Sequence, residues 1–262
     1  MTDKTEHEAL RETLAVAKNH SADNLHGAFM AVPEGFNIKS LEEFQDQPNR
    51  ITATPEFRDT ASLAHYLNRF ETPGRILFSC PAKASICAVI DYHEGSTPSH
   101  CAHNATFKAQ FDSHYSVWRN AHGKSMSQKD VGEFLEENAL DIVDPDAASV
   151  MEIVMNFEAI RRVTFKQSQR LNSGTRQFTY VEEDDVKGAI TMPEKISIRV
   201  PVFEGQEPDR IPVRVKYRLD DGKLTFRFEI HNKVDVERTA FERCEDSLSA
   251  ELKQETPIMR VI

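Results

Sequence analysis

The chain of 262 residues lacks any long apolar segment. No purely apolar run is longer than the five residues of Ile86–Ile90, far short of the ~20 residues that a membrane-spanning helix needs. The first residues, Met1–Glu6, carry charge and lead into no apolar stretch, so we expect no secretory signal. The composition therefore predicts a soluble, cytoplasmic protein that makes no contact with a membrane.

Cysteine and glycine are both scarce. Four cysteines occur, Cys80, Cys87, Cys101 and Cys244, and no two of them form a CxxC pair, which is typical of free thiols in a reducing compartment. The ten glycines form neither a GxGxxG pattern nor a P-loop, which excludes the common phosphate-cradling loops. No nucleophile-elbow pattern occurs either. The sequence therefore predicts no catalytic residue and no cofactor.

Charge is abundant and unevenly distributed. Hydrophobic residues make up 39% and charged residues 28% of the chain, a balance that predicts a folded protein with a sizeable core. The net charge of −10 argues against a general affinity for nucleic acid, because phosphate contacts need Lys and Arg. Residues 161–227 nevertheless hold 14 Lys or Arg against 10 Asp or Glu, so this segment is basic within an acidic protein.

The periodicity of apolar residues predicts an α+β fold, with antiparallel sheets, packed helices, one long central helix and a C-terminal helix. We expect three segments: residues 1–58 (a helix over 3–19 and an irregular stretch), 59–172 (an α+β region) and 173–262 (an antiparallel sheet, a helix and an apolar tail). Further helices are expected over residues 61–70, 127–138, 144–171 and 234–252. Strands are expected over residues 75–79, 85–92, 103–111, 176–182, 195–203, 211–219 and 224–231.

Three helix starts carry capping signals. Asp59 precedes the helix at 61–70, and Ser127 with Asp130 forms a variant of the capping box. Asp144-Pro145-Asp146 predicts the start of the long helix, with Pro145 at the first helical position. A turn at residues 94–98 and the dipeptide Asp221-Gly222 each predict a hairpin.

The strands of the last segment alternate in character, and side chains alternate between the two faces of a strand. One face of the predicted sheet collects Ile, Val, Leu, Tyr and Phe side chains. The opposite face collects positive charge at Arg199, Arg214, Lys216, Arg218 and Arg227. We interpret these five residues as a candidate surface for single-stranded nucleic acid, a nucleotide or another anion. The alternatives are a solvated face, or one that meets acidic helices, because no aromatic residues are interleaved for base stacking.

The chain ends in an apolar tail. Ile258, Met259, Val261 and Ile262 are expected to be covered, because an exposed apolar tail is a liability. The tail either returns as a strand to its own sheet or adds a strand to a neighbouring subunit and so forms a homo-oligomer.

Histidines cluster before residue 123. His93, His100, His103, His114 and His122 lie within thirty residues, next to Cys101. Zinc uses His and Cys ligands, but adjacent ligands on a strand point to opposite faces, and no second ligand pair stands at a familiar spacing. We predict no metal site, and keep a metal-dependent hydrolase of nucleotides or nucleic acid as an alternative. Trp118 is expected to anchor the core.

Residues 115–138, 158–166 and 211–231 of this sequence resemble the family of YfdQ-like prophage proteins, and the resemblance covers about residues 59–252. The family has no assigned activity, so the resemblance implies no catalytic positions. It implies a genetic context instead, because genes for such proteins tend to lie in phage early regions, near replication and recombination functions. That context favours a role in phage DNA or nucleotide handling, or in countering host defence.

Together these observations favour a non-enzymatic, self-assembling protein whose C-terminal sheet and tail organise a homo-oligomer. Its basic face is expected to engage nucleic acid or another anionic partner. A protein that sequesters a small signal nucleotide is a further alternative, beside the hydrolase.

Overall fold

The computed structural model describes residue 11 and residues 46–164, 178–182, 185–190, 193–220 and 223–262. The chain divides into two units, Met1–Ile51 and Thr52–Ile262. The predicted helix over residues 3–19 lies outside the described residues except for Arg11, which is helical. All elements named below belong to the second unit.

Twelve strands and five α-helices are assigned among the described residues of this unit. The strands are β1 (Glu56–Phe57), β2 (Ile76–Cys80), β3 (Ser85–Val89), β4 (Asn104–Lys108), β5 (Ser125–Ser127), β6 (Ile142–Asp144), β7 (Phe178–Glu182), β8 (Asp185–Ile190), β9 (Lys195–Val200), β10 (Asp209–Asp220), β11 (Lys223–Ile230) and β12 (Ile258–Arg260). The helices are α1 (Thr60–Arg69), α2 (Ser113–Ala121), α3 (Gln128–Glu137), α4 (Ala147–Thr164) and α5 (Lys233–Glu251). This confirms the predicted α+β fold. No helix in the described ranges is long and apolar enough to cross a membrane.

The first sheet has the strand order β1–β4–β3–β2–β12. Strand β3 pairs antiparallel with both β2 and β4, with Ile86 opposite Phe107, which confirms the predicted hairpin. The outer pairs, β1 with β4 and β2 with β12, are parallel. The C-terminal tail therefore returns as a strand within its own chain, but it joins the first sheet rather than the sheet of its predicted segment, and β12 forms one edge.

The second sheet has the order β5–β11–β10–β9–β6, and all its pairs are antiparallel. Strand β10 is the longest and lies at the centre. It pairs with β11 as far as Asp220 opposite Lys223, which confirms the predicted strand pair. Strands β7 and β8 form a separate two-stranded ribbon.

The predicted capping residues at Asp59 and Ser127 act as expected. Asp59 Oδ1 accepts a hydrogen bond from the Ser62 backbone N–H at 2.6 Å, which satisfies one of the unpaired donors of the first helical turn. Ser127 and Asp130 form the reciprocal capping box at the start of α3. Helix α2 was not predicted, although Asp112 caps it.

The prediction for Pro145 is wrong. The Asp144–Pro145 peptide bond is cis, and α4 begins at Ala147 rather than at the proline. Asp146 takes the capping role, because its side chain accepts a hydrogen bond from the Ser149 backbone N–H at 3.0 Å. The described part of α4 ends at Thr164, so the predicted continuation to Leu171 lies outside the described residues.

One hydrophobic cluster joins residues from both sides of residue 172, including Val150 and Phe228. Trp118 lies at its centre and is 1% exposed, which confirms the predicted core anchor. Its ring meets Phe134 edge to face at a centroid distance of 4.9 Å, and its Nε1–H donates to Asp141 Oδ2 at 2.8 Å. The second sheet thus has one face packed against helices α2 and α3.

Candidate anion-binding face

The second sheet has one apolar and one basic face. Nine inward-facing side chains are each at most 6% exposed: Ile196, Ile198, Val200, Ile211, Val213, Val215, Phe226, Phe228 and Ile230. Among the residues whose exposure the structure describes, the outward positions of β9, β10 and β11 hold seven exposed basic side chains: Lys195, Arg199, Arg210, Arg214, Lys216, Arg218 and Arg227. We call these seven residues the basic face. The strict alternation of the strands produces this separation, as the sequence predicts.

Lys195 and Arg210 were missed in the sequence analysis. Both occupy outward positions in the same alternation as the other five residues. Arg210 was omitted because the predicted strand began at Ile211, one residue too late, whereas β10 begins at Asp209. Lys195 is the first residue of β9 and was counted only as a strand boundary.

Three pairs of like charges lie directly opposite each other across neighbouring strands. Arg199 faces Arg210, and Lys195 faces Arg214, between β9 and β10. Lys216 faces Arg227 between β10 and β11. Directly opposed residues in an antiparallel pair have Cβ atoms only about 5 Å apart, so like charges there are destabilising. The register therefore brings like charges together at three positions, although Arg214 also lies directly opposite Glu229 across β10 and β11.

Acidic residues neutralise this face only in part. Arg210 forms an ion pair with Asp144 of β6, and Lys216 Nζ lies 2.6 Å from Glu229 Oε2. The hydrogen bond from Lys216, with smaller effects of Arg227 and His122, lowers the pKa of Glu229, which keeps this carboxylate charged.

The side chains of three members of the basic face have no ionic or hydrogen-bonding partner among the described residues. Within the described part of the chain, the side chains of Lys195, Arg199 and Arg214 form no ion pair or hydrogen bond. These three cations are therefore available to an external anion.

A groove of about 480 Å³ lies at the hairpin end of the basic face. It is lined by Ser125, Lys216, Tyr217, Arg218, Thr225, Phe226 and Arg227. Strand β5 forms one wall, since Ser125 lies opposite Arg227. The sequence did not predict β5, and so did not predict a concave site here.

The tail residues lie on or after β12. Ile258 is partly buried against the core, whereas Met259 is 50% and Val261 42% exposed. Ile262 is fully exposed. Arg260 fixes the strand through Glu245 Oε2 at 2.8 Å and Glu242 Oε1 at 3.2 Å on α5.

The clustered histidines do not converge. His103 is buried and its Nε2 lies 2.8 Å from the Tyr66 hydroxyl. His114 Nδ1 lies 2.9 Å from Asp141 Oδ1, and His122 Nδ1 accepts the Ile230 backbone N–H at 2.9 Å.

His93 and Cys101 are close to each other, and both contact the backbone of Ser99, whose N–H donates to His93 Nδ1 at 2.9 Å. The Cys101 Sγ lies 3.9 Å from both ring nitrogens of His93. The described residues contain no group of three or more His, Cys, Asp or Glu side chains placed to hold a metal ion. The geometry therefore adds nothing in favour of the metal-dependent hydrolase.

A family model for uncharacterised conserved proteins, DUF2303, matches residues 2–260 of the chain. The chain belongs to the DUF2303 family. Searches of curated protein sequences and of solved structures gave no match. Membership covers nearly the whole chain, including the basic face and β12, but the family's description assigns no activity to either.

Proposed function

We propose that this protein binds single-stranded nucleic acid through the basic face, without catalysing a reaction. The observation that carries the proposal is the set of three directly opposed like-charge pairs on an acidic protein. Phosphate groups between the strands would relieve the repulsion within each pair, so a bound polyanion stabilises an arrangement that is otherwise unfavourable.

The shape of the face favours a single strand over a duplex. A DNA major groove admits a helix or a two-stranded ribbon, whereas these cations lie on a broad sheet. Along β10, Arg210 to Arg218 spans roughly 27 Å at about 3.4 Å per residue. A flexible single strand can follow such a row with its phosphates.

The described outward positions of β9, β10 and β11 contain no aromatic side chain. Stacking on aromatic rings normally adds about 1–3 kcal/mol per base to single-strand binding. Without it, binding depends on phosphates alone, which predicts little preference for sequence and a strong dependence on salt.

The resemblance to YfdQ-like prophage proteins supports this choice of partner. Single strands arise where DNA is replicated and recombined, and genes of that family tend to lie beside such functions. A prophage origin and a role in phage DNA handling or counter-defence are part of the proposal.

The test is fluorescence anisotropy with a labelled oligothymidylate of about 15 nucleotides, within the site sizes known for single-strand binders. Replacing Arg214 and Arg218 by Glu should abolish binding while the circular dichroism spectrum is retained. The control variant replaces Arg58 and Lys83, two exposed residues outside the second sheet, and should bind like the wild type. Unchanged binding in the Arg214→Glu, Arg218→Glu variant would refute the proposal.

A separate observation favours self-assembly. Strand β12 is an edge strand, and its inner side is used by hydrogen bonds such as Leu77 N–H to Pro257 O at 3.0 Å and Val261 N–H to Ser79 O at 2.7 Å. In a parallel pair, successive residues direct their backbone groups to opposite sides. The N–H and C=O groups of Ile258 and Arg260 therefore point away from β2, and no strand of the described residues covers them.

We propose that β12 pairs with β12 of a second copy of this chain. The exposed Met259, Val261 and Ile262 side chains border the open backbone groups, and an exposed apolar edge is a template for strand addition. Pairing of the same strand in two copies gives a closed two-fold dimer. It also covers the apolar side chains that the sequence analysis expected to be covered.

The mass of the protein in solution tests this pairing. Replacing Val261 and Ile262 by Lys should convert the assembly to monomer in light scattering, while the circular dichroism spectrum is retained. Val234→Lys is the matched control, because Val234 is an equally apolar, 76% exposed residue on α5. A monomeric wild type, or equal masses for wild type and tail variant, would exclude β12 as the interface.

A further inference from the structure

The groove at the hairpin end differs from the rest of the basic face in being concave. Its volume of about 480 Å³ falls within the range of sites that enclose small ligands. Lys216, Arg218 and Arg227 contribute three basic side chains to its lining. A flat row of cations touches a phosphate from one side only, whereas a concave site can surround it.

Lys216 and Arg227 use only part of their donors within the described residues. Lys216 gives one hydrogen bond to Glu229, and an ammonium group has three N–H donors. Arg227 gives one to Ser125 Oγ at 3.3 Å out of the five that a guanidinium offers. Because Ser125 Oγ accepts that bond, its own O–H stays available to donate. At least two cations and one hydroxyl can therefore meet on one ligand.

The chemistry of these donors selects a particular anion. A terminal phosphate carries about −1.5 to −2 charges and three acceptor oxygens, whereas an internal phosphodiester carries one charge. Guanidinium groups bind such oxygens in a planar, two-pronged geometry. A site with several converging donors thus gains more from a phosphate monoester or a pyrophosphate than from a phosphodiester.

We infer that this groove is a binding site for a terminal phosphate, either at the end of a nucleic-acid strand or on a free nucleotide. The inference rests on the proposed function in so far as the strand continues from the groove along β10 toward Arg210. The groove then fixes the end of the strand, and the flat part of the basic face holds the phosphates that follow.

Competition experiments with matched oligonucleotides test the site. Unlabelled oligothymidylates with a 5′-phosphate, a 3′-phosphate or hydroxyl ends displace a labelled strand from the full-length protein, and calorimetry measures inorganic pyrophosphate directly. We expect one phosphorylated end to bind about 5-fold more tightly than the hydroxyl end at ~0.1 M salt, as one further neutralised charge requires.

Two variants separate the groove from the rest of the face. Arg227→Gln and Arg199→Gln each remove one charge, but Arg199 lies opposite Arg210, six residues or roughly 20 Å along β10 from Lys216. Arg227→Gln should abolish the preference for the phosphorylated end, and Arg199→Gln should retain it. Ser125→Ala, which changes no charge, should reduce the preference without altering the dependence of binding on salt.

The outcomes distinguish a strand end from a free nucleotide as the source of the phosphate. They also separate a failure of the groove from a failure of the proposed single-strand binding. A preference for one phosphorylated end that Arg227→Gln abolishes supports a strand end. Pyrophosphate binding that depends on Arg227, without an end preference, supports a free nucleotide, and it supports the groove even if no oligonucleotide binds. Oligonucleotide binding without an end preference and without pyrophosphate binding overturns the groove and leaves the proposed function intact. An end preference that survives Arg227→Gln also overturns it.

Discussion

The dependence of strand affinity on salt measures how many cations of the basic face contact phosphate. For single strands, the slope of log K against log salt concentration is about −0.7 for each phosphate neutralised. Among the described residues, Arg210 and Lys216 form ion pairs with carboxylates. With about five phosphates of the strand neutralised, affinity should fall roughly 100-fold between about 50 and 200 mM salt.

The informative variant replaces Arg199 and Arg214 by Gln, since neither side chain has a hydrogen-bonding or ionic partner among the described residues. Loss of two contacts should reduce the magnitude of the slope by about 1.4 and the fall over the same salt range to roughly 20-fold. At ~0.1 M salt the affinity itself should drop about 25-fold, or 5-fold for each contact.

The thermal stability of the variants should not fall together with their affinity for the strand. Arg199→Gln removes one member of a like-charge pair, so the melting temperature of this single variant should equal or exceed that of the wild type. Anisotropy titrations at four or five salt concentrations, with the Arg58→Gln, Lys83→Gln variant as control, provide the comparison. An unchanged slope in the Arg199→Gln, Arg214→Gln variant would show that the strand does not lie on this face.

Three further predictions concern the body of the protein. Trp118→Phe removes the donor to buried Asp141 and should lower the free energy of unfolding by about 1–3 kcal/mol in denaturant titrations; an unchanged midpoint would contradict it. Burial lowers the pKa of His103, so the unfolded chain binds a proton more readily, and stability should fall below about pH 6.5 by at most ~1.4 kcal/mol per pH unit. His103→Gln should remove that part of the acid sensitivity, and an identical pH profile would show that another group is responsible. Burial also raises the pKa of Cys244 to about 11, so native protein should be alkylated there far more slowly than at half-buried Cys101, as peptide mass mapping will show.

Local signals account for the parts of the fold that the sequence predicted. Apolar residues occupy every second position from Ile211 to Leu219 on β10 and from Leu224 to Ile230 on β11, so this alternation specifies which face is buried. Asp59 and Ser127 act within one helical turn, and their roles depend on nothing distant in the chain. Predictions of this kind succeed because cause and effect lie within a few residues.

The missing elements depend on distant partners. Strands β1, β5 and β6 have two or three residues each, too few to show a period of two. The parallel pairing of β12 with β2 joins residues about 180 positions apart, and no local pattern encodes such a choice. Helix α2 did carry a signal, because Asp112 precedes Tyr115, Trp118 and Ala121 on one face.

The basic face likewise depends partly on local sequence patterns and partly on pairings between distant residues. Five members of the basic face follow from alternation alone, but the pairing of Lys195 with Arg214 and of Arg199 with Arg210 depends on the register between β9 and β10. The groove depends in addition on β5, which contributes Ser125. The sequence thus predicts most of the basic residues. The like-charge pairs and the groove at the hairpin end are visible only in the structure.

The two proposed surfaces lie on different sheets, and this separation has a consequence for binding. Pairing through β12 extends the first sheet and uses none of the seven residues of the basic face on the second. A dimer therefore carries two intact faces, and a strand long enough to reach both is held at a high effective concentration by the first contact. Short strands cannot bridge the faces and should bind monomer and dimer alike. Dimerisation would then raise the affinity for long strands, while the contacts that each face makes with a strand stay the same.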